Sequence, residues 1–288
     1  MTLREAHASA FSQLHASPTL RQSALQDATF LLVHSLKVPQ TALLAHPDLP
    51  LTPEQEVAFQ GLIDRRLANE PIQYIVGGWE FYGLEFLLTP AVLIPRPSTE
   101  ILVEAVLSEL QPEAVAGPPP LRIADIGTGS GIIAIALAHR LPNARITAVD
   151  LSPAALEVAA QNAARHNLSS HIRFLPSDFL SGLPPDDPPF DAIVANLPYV
   201  PSTDLDTLHP QVRDHEPHLA LFAGSDGLDL YRRFIPQAFA ALLPNGLLAI
   251  EIGYNQRDAI AALLTDWKQV RIVEALEQIP RAALARKP

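Results

Sequence analysis

Residues 121–131, which read LRIADIGTGSG, decide the fold that we expect for this chain. Their first half has the length and composition of one buried strand, and the glycines let the backbone turn sharply into a helix that begins at Ile132. The glycines lie at positions 127, 129 and 131, so the loop is neither the G-x-G-x-x-G turn of dinucleotide-binding proteins nor a P-loop. A strand, a glycine loop and a helix in this order predict the ligand-binding edge of an open α/β sheet.

The sequence after this loop alternates strand-like and helix-like segments, which indicates a parallel sheet with helices on both faces. Ser152 and Pro153 are residue types that begin a helix, and we expect this helix to end near His166. A Pro-rich loop is expected at residues 117–120. Further strands are expected at residues 145–150, 172–175, 190–195 and 247–252, and a terminal hairpin at residues 270–276 and 282–286.

The first third of the chain has a different pattern. Residues 1–75 show the apolar spacing of helices, and Thr52-Pro53-Glu54-Gln55 has the residue types of a helix start with a capping box. Residues 74–76, 79–81 and 84–88 are rich in β-forming residues and are separated by glycines, which predicts a short hairpin. We therefore expect a helical domain at 1–75, a β-hairpin linker at 76–98 and an α/β domain at 99–288.

The composition of the 288 residues excludes several classes of protein. There is no cysteine, so disulfides, thiolate zinc sites and cysteine nucleophiles are absent, and a cytoplasmic protein is the natural expectation. The net charge is −11 and no run of Lys and Arg exceeds a pair, which argues against a long contact with a nucleic-acid backbone. No apolar run approaches the roughly 20 residues of a membrane-spanning helix, and the N-terminus lacks the apolar segment of a signal peptide.

Acidic residues that follow the next two strands complete a pocket for a nucleoside. Asp150 ends the second strand, where a carboxylate accepts hydrogen bonds from both ribose hydroxyls. Asp178 and Phe179 follow the third strand, where they would meet the amino group and the face of adenine. Each residue alone is also compatible with a structural turn or a helix cap, but the ordered set favours a pocket. Because it has no phosphate-binding group, S-adenosylmethionine fits it better than a dinucleotide does.

The segment Asn196-Leu197-Pro198-Tyr199 follows the fourth strand and suggests the chemistry. An amide or exocyclic amine is a weak nucleophile because its lone pair is delocalised, so it needs orientation more than a strong base. The side-chain carbonyl of Asn196 and the backbone carbonyl of Leu197 can accept the two N–H bonds of a planar NH₂ and aim its nitrogen at a sulfonium methyl group. Such positioning is worth up to about 7–11 kcal/mol in model reactions. Pro198 would stiffen the loop, and Tyr199 would pack on the flat face of the substrate.

With these motifs the chain resembles the release-factor glutamine methyltransferases of the PrmC/HemK type. The resemblance spans nearly the whole chain, and residues 92–97, VLIPRP, are its most diagnostic part. It implies methyl transfer from S-adenosyl-L-methionine to the side-chain amide nitrogen of the glutamine in the Gly-Gly-Gln motif of peptide chain release factors. It is carried by residues 70–75, 78, 81–83, 92–97, 125–131, 148–152, 196–199, 216–217, 220–221, 224–228, 251–253 and 256.

The resemblance also implies the roles of individual residues. It assigns cofactor contacts to residues 127–131, Asp150 and Phe179, and substrate contacts to residues 196–199. The family usually has Pro where Leu197 stands and Glu where Ser98 stands. The expected catalytic residues are Asn196, Leu197, Pro198 and Tyr199, no metal site is expected, and the expected cofactor-binding residues are Asp125, Gly127, Thr128, Gly129, Ser130, Gly131, Asp150, Asp178, Phe179 and Asn196.

Two other functions stay open from the sequence alone. An amino-methyltransferase that acts on adenine or cytosine in nucleic acid would use the same Asn-x-Pro-Tyr device, and a non-catalytic adaptor could keep the same fold. We expect a monomer whose helical domain docks a release factor, with no stable nucleic-acid partner and no membrane. We interpret two arginine pairs, Arg65-Arg66 and Arg232-Arg233, as solvated helix faces. A metal site at His209, His215 and His218 is not favoured.

Overall fold

The structure of the protein, a computed structural model, describes residues 1–115 and 119–288. Residues 116–118 include the first half of the Pro-rich loop expected at 117–120, and that half lies outside the described residues. The chain divides into two compact units. The first comprises residues 1–78 and 207–215, and the second comprises residues 79–206 and 216–288.

Helices form the first unit, and strands with flanking helices form the second. The helices are α1 (Leu3–Ala16), α2 (Ala24–Leu36), α3 (Thr41–Ala45), α4 (Pro53–Leu67), α5 (Ile72–Val76), α6 (Pro97–Val115), α7 (Ile132–Arg140), α8 (Pro153–Arg165), α9 (Pro210–Arg213), α10 (Asp229–Ala241) and α11 (Arg257–Leu263). The strands are β1 (Gly78–Phe81), β2 (Leu84–Leu87), β3 (Arg122–Ile126), β4 (Arg145–Asp150), β5 (Ile172–Pro176), β6 (Phe190–Ala195), β7 (Leu242–Glu251), β8 (Lys268–Glu274) and β9 (Pro280–Arg286). Short 3-10 helices occur at Ser202–Thr207, His218–Ala220 and Leu276–Gln278.

In the first unit, α1, α2 and α4 pack against one another. The start of α4 confirms the expected capping box, because the Thr52 side chain accepts from the Gln55 backbone and Gln55 Oε1 accepts from the Thr52 backbone at 2.9 Å. A buried ion pair joins α2 to α4, with Arg66 Nε 2.8 Å from Asp27 Oδ2. The expected solvated Arg65-Arg66 face is therefore wrong for Arg66, which is only 4% exposed.

Residues 74–76 do not form the expected strand. They belong to the one-turn helix α5, which follows Pro71 and ends at Gly77. Tyr74 and Ile75 are buried, and α5 contacts α2 and α4. Burial against two helices outweighs the β-propensity of a Tyr-Ile-Val run, since such propensities depend strongly on tertiary context.

The expected hairpin is present as the two-stranded sheet of β1 and β2. Its turn residues, Tyr82 and Gly83, have φ angles of 55° and 74°, as a tight type I′ turn requires. Glu100 near the start of α6 accepts a 2.9 Å hydrogen bond from the Tyr82 backbone, so Glu100 holds the turn. Phe81 and Phe86 are buried edge to face beneath the hairpin, with ring centroids 6.2 Å apart.

The other strands form one seven-stranded sheet in the order β5-β4-β3-β6-β7-β9-β8, which confirms the expected Rossmann-like fold. Strands β3 to β7 are parallel, and β9 is antiparallel to both β7 and β8, as the expected terminal hairpin requires. The strand order reverses between β3 and β6, and ligands of open α/β sheets bind in the crevice at such a point. Ile126 pairs with Ala195 across these two strands, so the next residues, Gly127 and Asn196, follow side by side.

Helices flank this sheet with apolar faces. All residues of α7 from Ile132 to Ala138 are buried, and α10 buries Tyr231, Phe234 and Ile235 against the core. A dense core fixes the strands, so the loops at their carboxyl ends start from well-defined positions. None of the helices described has both the length and the apolar character that a membrane crossing requires.

Candidate active site

A cavity of about 590 Å³ opens at the carboxyl ends of β3, β4, β5 and β6. Ligand pockets usually have volumes of roughly 300–1,000 Å³, so this one has room for a cofactor-sized molecule. Asp125, Gly131 and Tyr199 are not part of its lining. Among the residues predicted from the sequence, those that line it are Gly127, Thr128, Gly129, Ser130, Asp150, Asp178, Phe179, Asn196, Leu197 and Pro198.

The glycine loop takes its shape from its backbone. All three of its glycines have positive φ angles, and the Thr128 N–H donates to the Val149 carbonyl of the neighbouring strand at 2.9 Å. At Gly131 the φ angle is 84°, and a Cβ would lie 3.1 Å from Ile135 Cδ1 and 3.2 Å from Ala159 Cβ. Glycine at this position therefore lets α7 and α8 pack closely behind the loop.

Asp125 supports the glycine loop from within the core. Its fully buried Oδ2 accepts hydrogen bonds from the Thr128 hydroxyl at 2.6 Å and from the Ala134 backbone at 3.1 Å. Its Oδ1 has no hydrogen-bond partner among the described residues. Burial raises the pKa of Asp125 to about 7, although both hydrogen bonds oppose the rise. Asp125 thus acts on the shape of the loop rather than on the contents of the cavity.

Asp150 lies at the end of β4, where the sequence predicted a ribose-binding carboxylate. Its Oδ2 accepts from the Gly129 backbone at 2.9 Å and its Oδ1 from the Ser152 backbone at 2.8 Å. Burial raises the pKa of Asp150, and these backbone hydrogen bonds oppose the shift. A carboxylate has about four acceptor positions, so each oxygen keeps one for a ligand. Asp150 therefore fixes the glycine loop and also faces the cavity.

The wall after β5 includes a cation that the sequence did not assign to the site. Arg233 of α10 forms an ion pair with Asp178, and its guanidinium carbon lies 5.2 Å from the centroid of the Phe179 ring. Phe179 itself is buried against Phe234, with ring centroids 5.6 Å apart. Arg233 has the solvated character expected of its pair, since its side chain is 54% exposed, but it also lines the cavity.

Asn196 begins the loop after β6 and lies beside the glycine loop. A Cβ on Gly127 would be 3.4 Å from both the Asn196 backbone oxygen and a methyl carbon of Leu197. The Leu197 side chain is buried in the core, and Leu197 is also part of the cavity lining. The Nδ2 of Asn196 donates to the Thr99 hydroxyl at 3.1 Å, which leaves Oδ1 as the acceptor of this amide.

A buried carboxylate lies behind Asn196. Glu251, the last residue of β7, is completely buried and accepts from the Thr99 hydroxyl at 2.7 Å and from the Ser98 hydroxyl at 3.0 Å. The Tyr199 hydroxyl lies 3.5 Å from the same carboxylate. Burial raises the pKa of Glu251, and the hydroxyl donors oppose the rise. Both ends of the Asn196–Tyr199 segment are thus linked to Glu251.

The backbone of this segment is held from its other side. Gln256 Nε2 donates to the carbonyls of Tyr199 and Gly227, at 3.2 Å each. The Gln256 Oε1 accepts from the Gly253 backbone at 2.8 Å, which fixes the orientation of its amide. Burial raises the pKa of Tyr199 to about 12, and the nearby Glu251 charge adds to the rise. The Tyr199 hydroxyl therefore stays protonated at neutral pH.

Known proteins that resemble this chain match most or all of its length. A model of the PrmC N-terminal domain matches residues 5–77, and a model of a methyltransferase domain matches residues 123–215. The chain is 43% identical to the release factor glutamine methyltransferase of Koribacter versatilis, over 100% of this chain and 99% of that protein. The chain belongs to the release factor glutamine methyltransferase family. It is also 46% identical to the Moorella thermoacetica enzyme of that name, over 91% of this chain and 89% of that protein.

A solved methyltransferase structure supports the fold of this family member. It is the T. thermophilus 16S rRNA N2 G1207 methyltransferase (RsmC) in complex with AdoMet and guanosine, with a TM-score of 0.53 and 20% identity. The match covers 73% of this chain and 50% of that chain. At this identity the likeness establishes a shared fold.

The residues around the cavity fit S-adenosyl-L-methionine. Asp150 keeps acceptor positions for ribose hydroxyls, as its two backbone hydrogen bonds leave lone pairs on both oxygens. Val149, Leu151 and Leu230 add apolar walls beside Phe179, which suit the faces of an adenine ring. The lining includes two arginines, Arg96 and Arg233, and each is already in an ion pair, with Glu216 and with Asp178.

Residues 91–96, which include most of the segment 92–97 named in the sequence resemblance, also line the cavity. Glu216, whose side chain is fully buried, accepts a 3.2 Å hydrogen bond from the Ile94 backbone and forms an ion pair with Arg96. This one carboxylate therefore ties the segment to residues 217–220, which also line the cavity. The close packing explains why the two segments, far apart in the sequence, are both part of the resemblance.

The three histidines named from the sequence have structural surroundings. In the first unit, His209 Nε2 lies 3.0 Å from the Thr19 carbonyl and His215 Nε2 lies 3.1 Å from the Ala68 carbonyl. In the second unit, His218 contacts Phe222 edge to face. Within residues 1–115 and 119–288, no three His, Asp or Glu side chains are grouped in a way that could hold a metal ion.

Sequence reasoning missed Thr99, Glu251 and Arg233. A signal for Glu251 existed, because it ends an apolar strand in the same way as Asp150 does. Thr99 lies in the first turn of α6 with no strand before it, so no local pattern marks it. Arg233 was assigned to a solvated face because nothing in the sequence links α10 to the loop after β5.

Proposed function

We propose that this protein transfers a methyl group from S-adenosyl-L-methionine to the side-chain amide nitrogen of the glutamine in the Gly-Gly-Gln motif of peptide chain release factors. The observation that carries this proposal is the orientation of the Asn196 amide beside the glycine loop. Its Nδ2 is engaged by Thr99, so its Oδ1 is the atom available to a substrate. A glutamine amide presents two N–H donors and is matched by such an acceptor.

The residues of the chain would act mainly by orientation. When bound, S-adenosyl-L-methionine supplies a methyl group on a positively charged sulfur, which a nitrogen can displace. Asn196 Oδ1 and the Leu197 carbonyl accept the two N–H bonds of the glutamine amide and turn its nitrogen toward the methyl group. Pro198 limits the motion of the loop, and Tyr199, which does not line the cavity, holds the end of the segment through the contact of its hydroxyl with Glu251. The proton on nitrogen becomes acidic as the new N–C bond forms and leaves to water, so no side chain serves as a general base.

The cofactor side of the site rests on the loops after β3, β4 and β5. We assign Asp150 to the ribose hydroxyls and Asp178 with Phe179 to adenine, with Thr128, Gly129 and Ser130 along the backbone of the loop. Asp125 and Gly131 lie outside the lining and would act through the shape of the loop.

The partner of the reaction is a protein in this proposal. The helical domain at residues 1–75 would dock the release factor, and the net charge of −11 argues against a stable complex with nucleic acid. We further propose a monomer that works in the cytoplasm, where the absence of cysteine suits a reducing compartment.

Transfer from labelled S-adenosyl-L-methionine to a purified release factor tests this function. We expect one methyl group on the release factor, and none when its Gly-Gly-Gln glutamine is replaced by alanine. Label on DNA or RNA but not on the release factor would support the nucleic-acid amino-methyltransferase instead. Binding of the release factor without any binding of S-adenosyl-L-methionine would support the adaptor.

A further inference from the structure

Three hydroxyl groups surround the carboxylate of Glu251, which no role assigned so far explains. Thr99 donates to its Oε2 at 2.7 Å, Ser98 donates to its Oε1 at 3.0 Å, and the Tyr199 hydroxyl lies 3.5 Å from Oε1. The side chain has no exposed surface and does not line the cavity, so it cannot touch either reactant. Its effect on the reaction must pass through its neighbours.

An ionised carboxylate fixes the direction of the hydrogen bonds that reach it. It has no proton to donate, so Thr99 must donate to Glu251. The Thr99 oxygen can then only accept from Asn196, which must present its Nδ2 and not its Oδ1. The direction of this chain therefore sets the orientation of the Asn196 amide.

Within residues 1–115 and 119–288, the hydrogen bond to Thr99 is the one that fixes this orientation. The oxygen and nitrogen of an amide are almost the same size, so packing hardly distinguishes the two rotamers and hydrogen bonding decides between them. In the reversed rotamer Asn196 would present N–H donors to the N–H donors of the substrate amide. The substrate would then lose one of its two acceptors.

We propose that Glu251 and Thr99 are positioning residues, which set the acceptor direction of Asn196 through the hydrogen-bond chain Asn196–Thr99–Glu251. The proposal rests on the proposed function, in which Asn196 Oδ1 binds the substrate amide. Ser98 and Tyr199 occupy two further acceptor positions of Glu251, and these donors and the charge of Arg281 oppose the rise in its pKa that burial causes.

Stability alone does not account for this arrangement. Burying a carboxylate is costly, and replacing buried polar groups with apolar ones of similar shape is often neutral or stabilising. A carboxylate that costs stability yet lies one hydroxyl away from the substrate-binding amide is better explained by the direction of the hydrogen bonds that it imposes.

The test compares Thr99→Val with Thr99→Ser. Valine keeps the shape of threonine but has no hydrogen-bonding group, whereas serine keeps the hydroxyl. For Thr99→Val we expect kcat with a release factor to fall about 10- to 100-fold, the range seen when a reacting group is slightly misplaced. The dissociation constant for S-adenosyl-L-methionine, measured by calorimetry, should stay within about twofold, and Thr99→Ser should recover most of kcat.

Two further variants complete the test. Thr265→Val removes a hydroxyl that donates to the Ala262 carbonyl on the exposed end of α11 and should leave kcat unchanged. Glu251→Met keeps the length of the side chain and removes the acceptor, so we expect a folded protein with a lowered kcat and unaltered cofactor affinity.

The outcomes separate the two proposals. If the unaltered protein does not methylate release factors, the proposed function fails and the positioning role fails with it. If it does, but Thr99→Val turns over at the same rate while remaining folded, only the positioning role is overturned. A Thr99→Val loss that Thr99→Ser does not recover, or that comes with a matching loss of thermal stability, would also overturn it.

Discussion

The glycine loop and the Asn196–Tyr199 segment lie side by side at the edge of the sheet, but they are held in different ways. The glycine loop is shaped by its own backbone and by carboxylates close to it in the sequence, Asp125 and Asp150. The Asn196–Tyr199 segment is held by side chains from distant parts of the chain, Thr99, Glu251 and Gln256. The glycine loop is therefore mainly a local structure, and the Asn196–Tyr199 segment is a tertiary one.

The largest expected effect is that of Asn196→Ala, which should lower turnover without lowering affinity for the cofactor. Asn196→Ala removes the acceptor for the substrate amide, so kcat with a release factor should fall by about 10³-fold or more. Affinity for S-adenosyl-L-methionine, measured by calorimetry, should remain within about threefold, because the glycine loop does not depend on this side chain. Normal turnover would refute the role of Asn196, and the exposed Asn143→Ala is a suitable control.

The next effect tests how closely the backbone at Gly227 packs against the Asn196–Tyr199 segment. A Cβ at Gly227, where φ is 75°, would lie 2.2 Å from the Tyr199 carbonyl oxygen. Gly83 has a similar φ of 74° but open space around it. We expect Gly227→Ala to lower the free energy of unfolding by about 2–4 kcal/mol and Gly83→Ala by about 1 kcal/mol, measured by chemical denaturation. Equal losses of unfolding free energy in the two variants would show that the Asn196–Tyr199 segment shifts to make room for the added methyl group.

A smaller effect belongs to the cofactor side. Asp150→Ala should weaken binding of S-adenosyl-L-methionine about 10- to 100-fold, since hydrogen bonds to a charged group contribute roughly 1.5–3 kcal/mol. The exposed Asp258→Ala, which has the same change of charge, should bind normally. Unchanged affinity of Asp150→Ala in calorimetry would contradict the ribose-binding role. If instead kcat at saturating cofactor fell as strongly as in Asn196→Ala, the two loops would not act separately.

The smallest expected effect is the pH dependence of stability that arises from Asp125, the buried carboxylate that supports the glycine loop. The pKa of Asp125 is raised to about 7 in the folded protein, against about 3.9 in an unfolded chain. Its contribution to stability is therefore complete below about pH 4 and is lost as the pH rises through 7. Asp125→Asn keeps the acceptor for Thr128 and adds no charge, so this loss should be absent. Thermal unfolding between pH 6 and 8 should show a difference on the order of 1 kcal/mol between the two proteins, and parallel curves would contradict it.

Some elements were predictable because their signals are local. The strands at 145–150 and 190–195 have the expected bounds, since each is a mostly apolar run with a polar residue at its end, Asp150, or directly after it, Asn196. The capping box of Thr52 and Gln55 is also as expected, because it needs only four consecutive residues. The one-turn helix α5 and the buried Arg66 were not predicted, since the partners that bury them lie elsewhere in the chain.

Composition, strand spacing and short motifs by themselves determined the α/β fold, the glycine loop and the position of Asn196 directly after a strand. These features depend mainly on residues that follow one another in the sequence, where backbone geometry leaves few choices. Only the tertiary structure decided which atom of the Asn196 amide is bound to Thr99, because that choice depends on Thr99 and on Glu251, which lie 97 and 55 residues away along the chain. Hydrogen bonds have a direction that no sequence pattern records, and this direction is established when the distant segments meet.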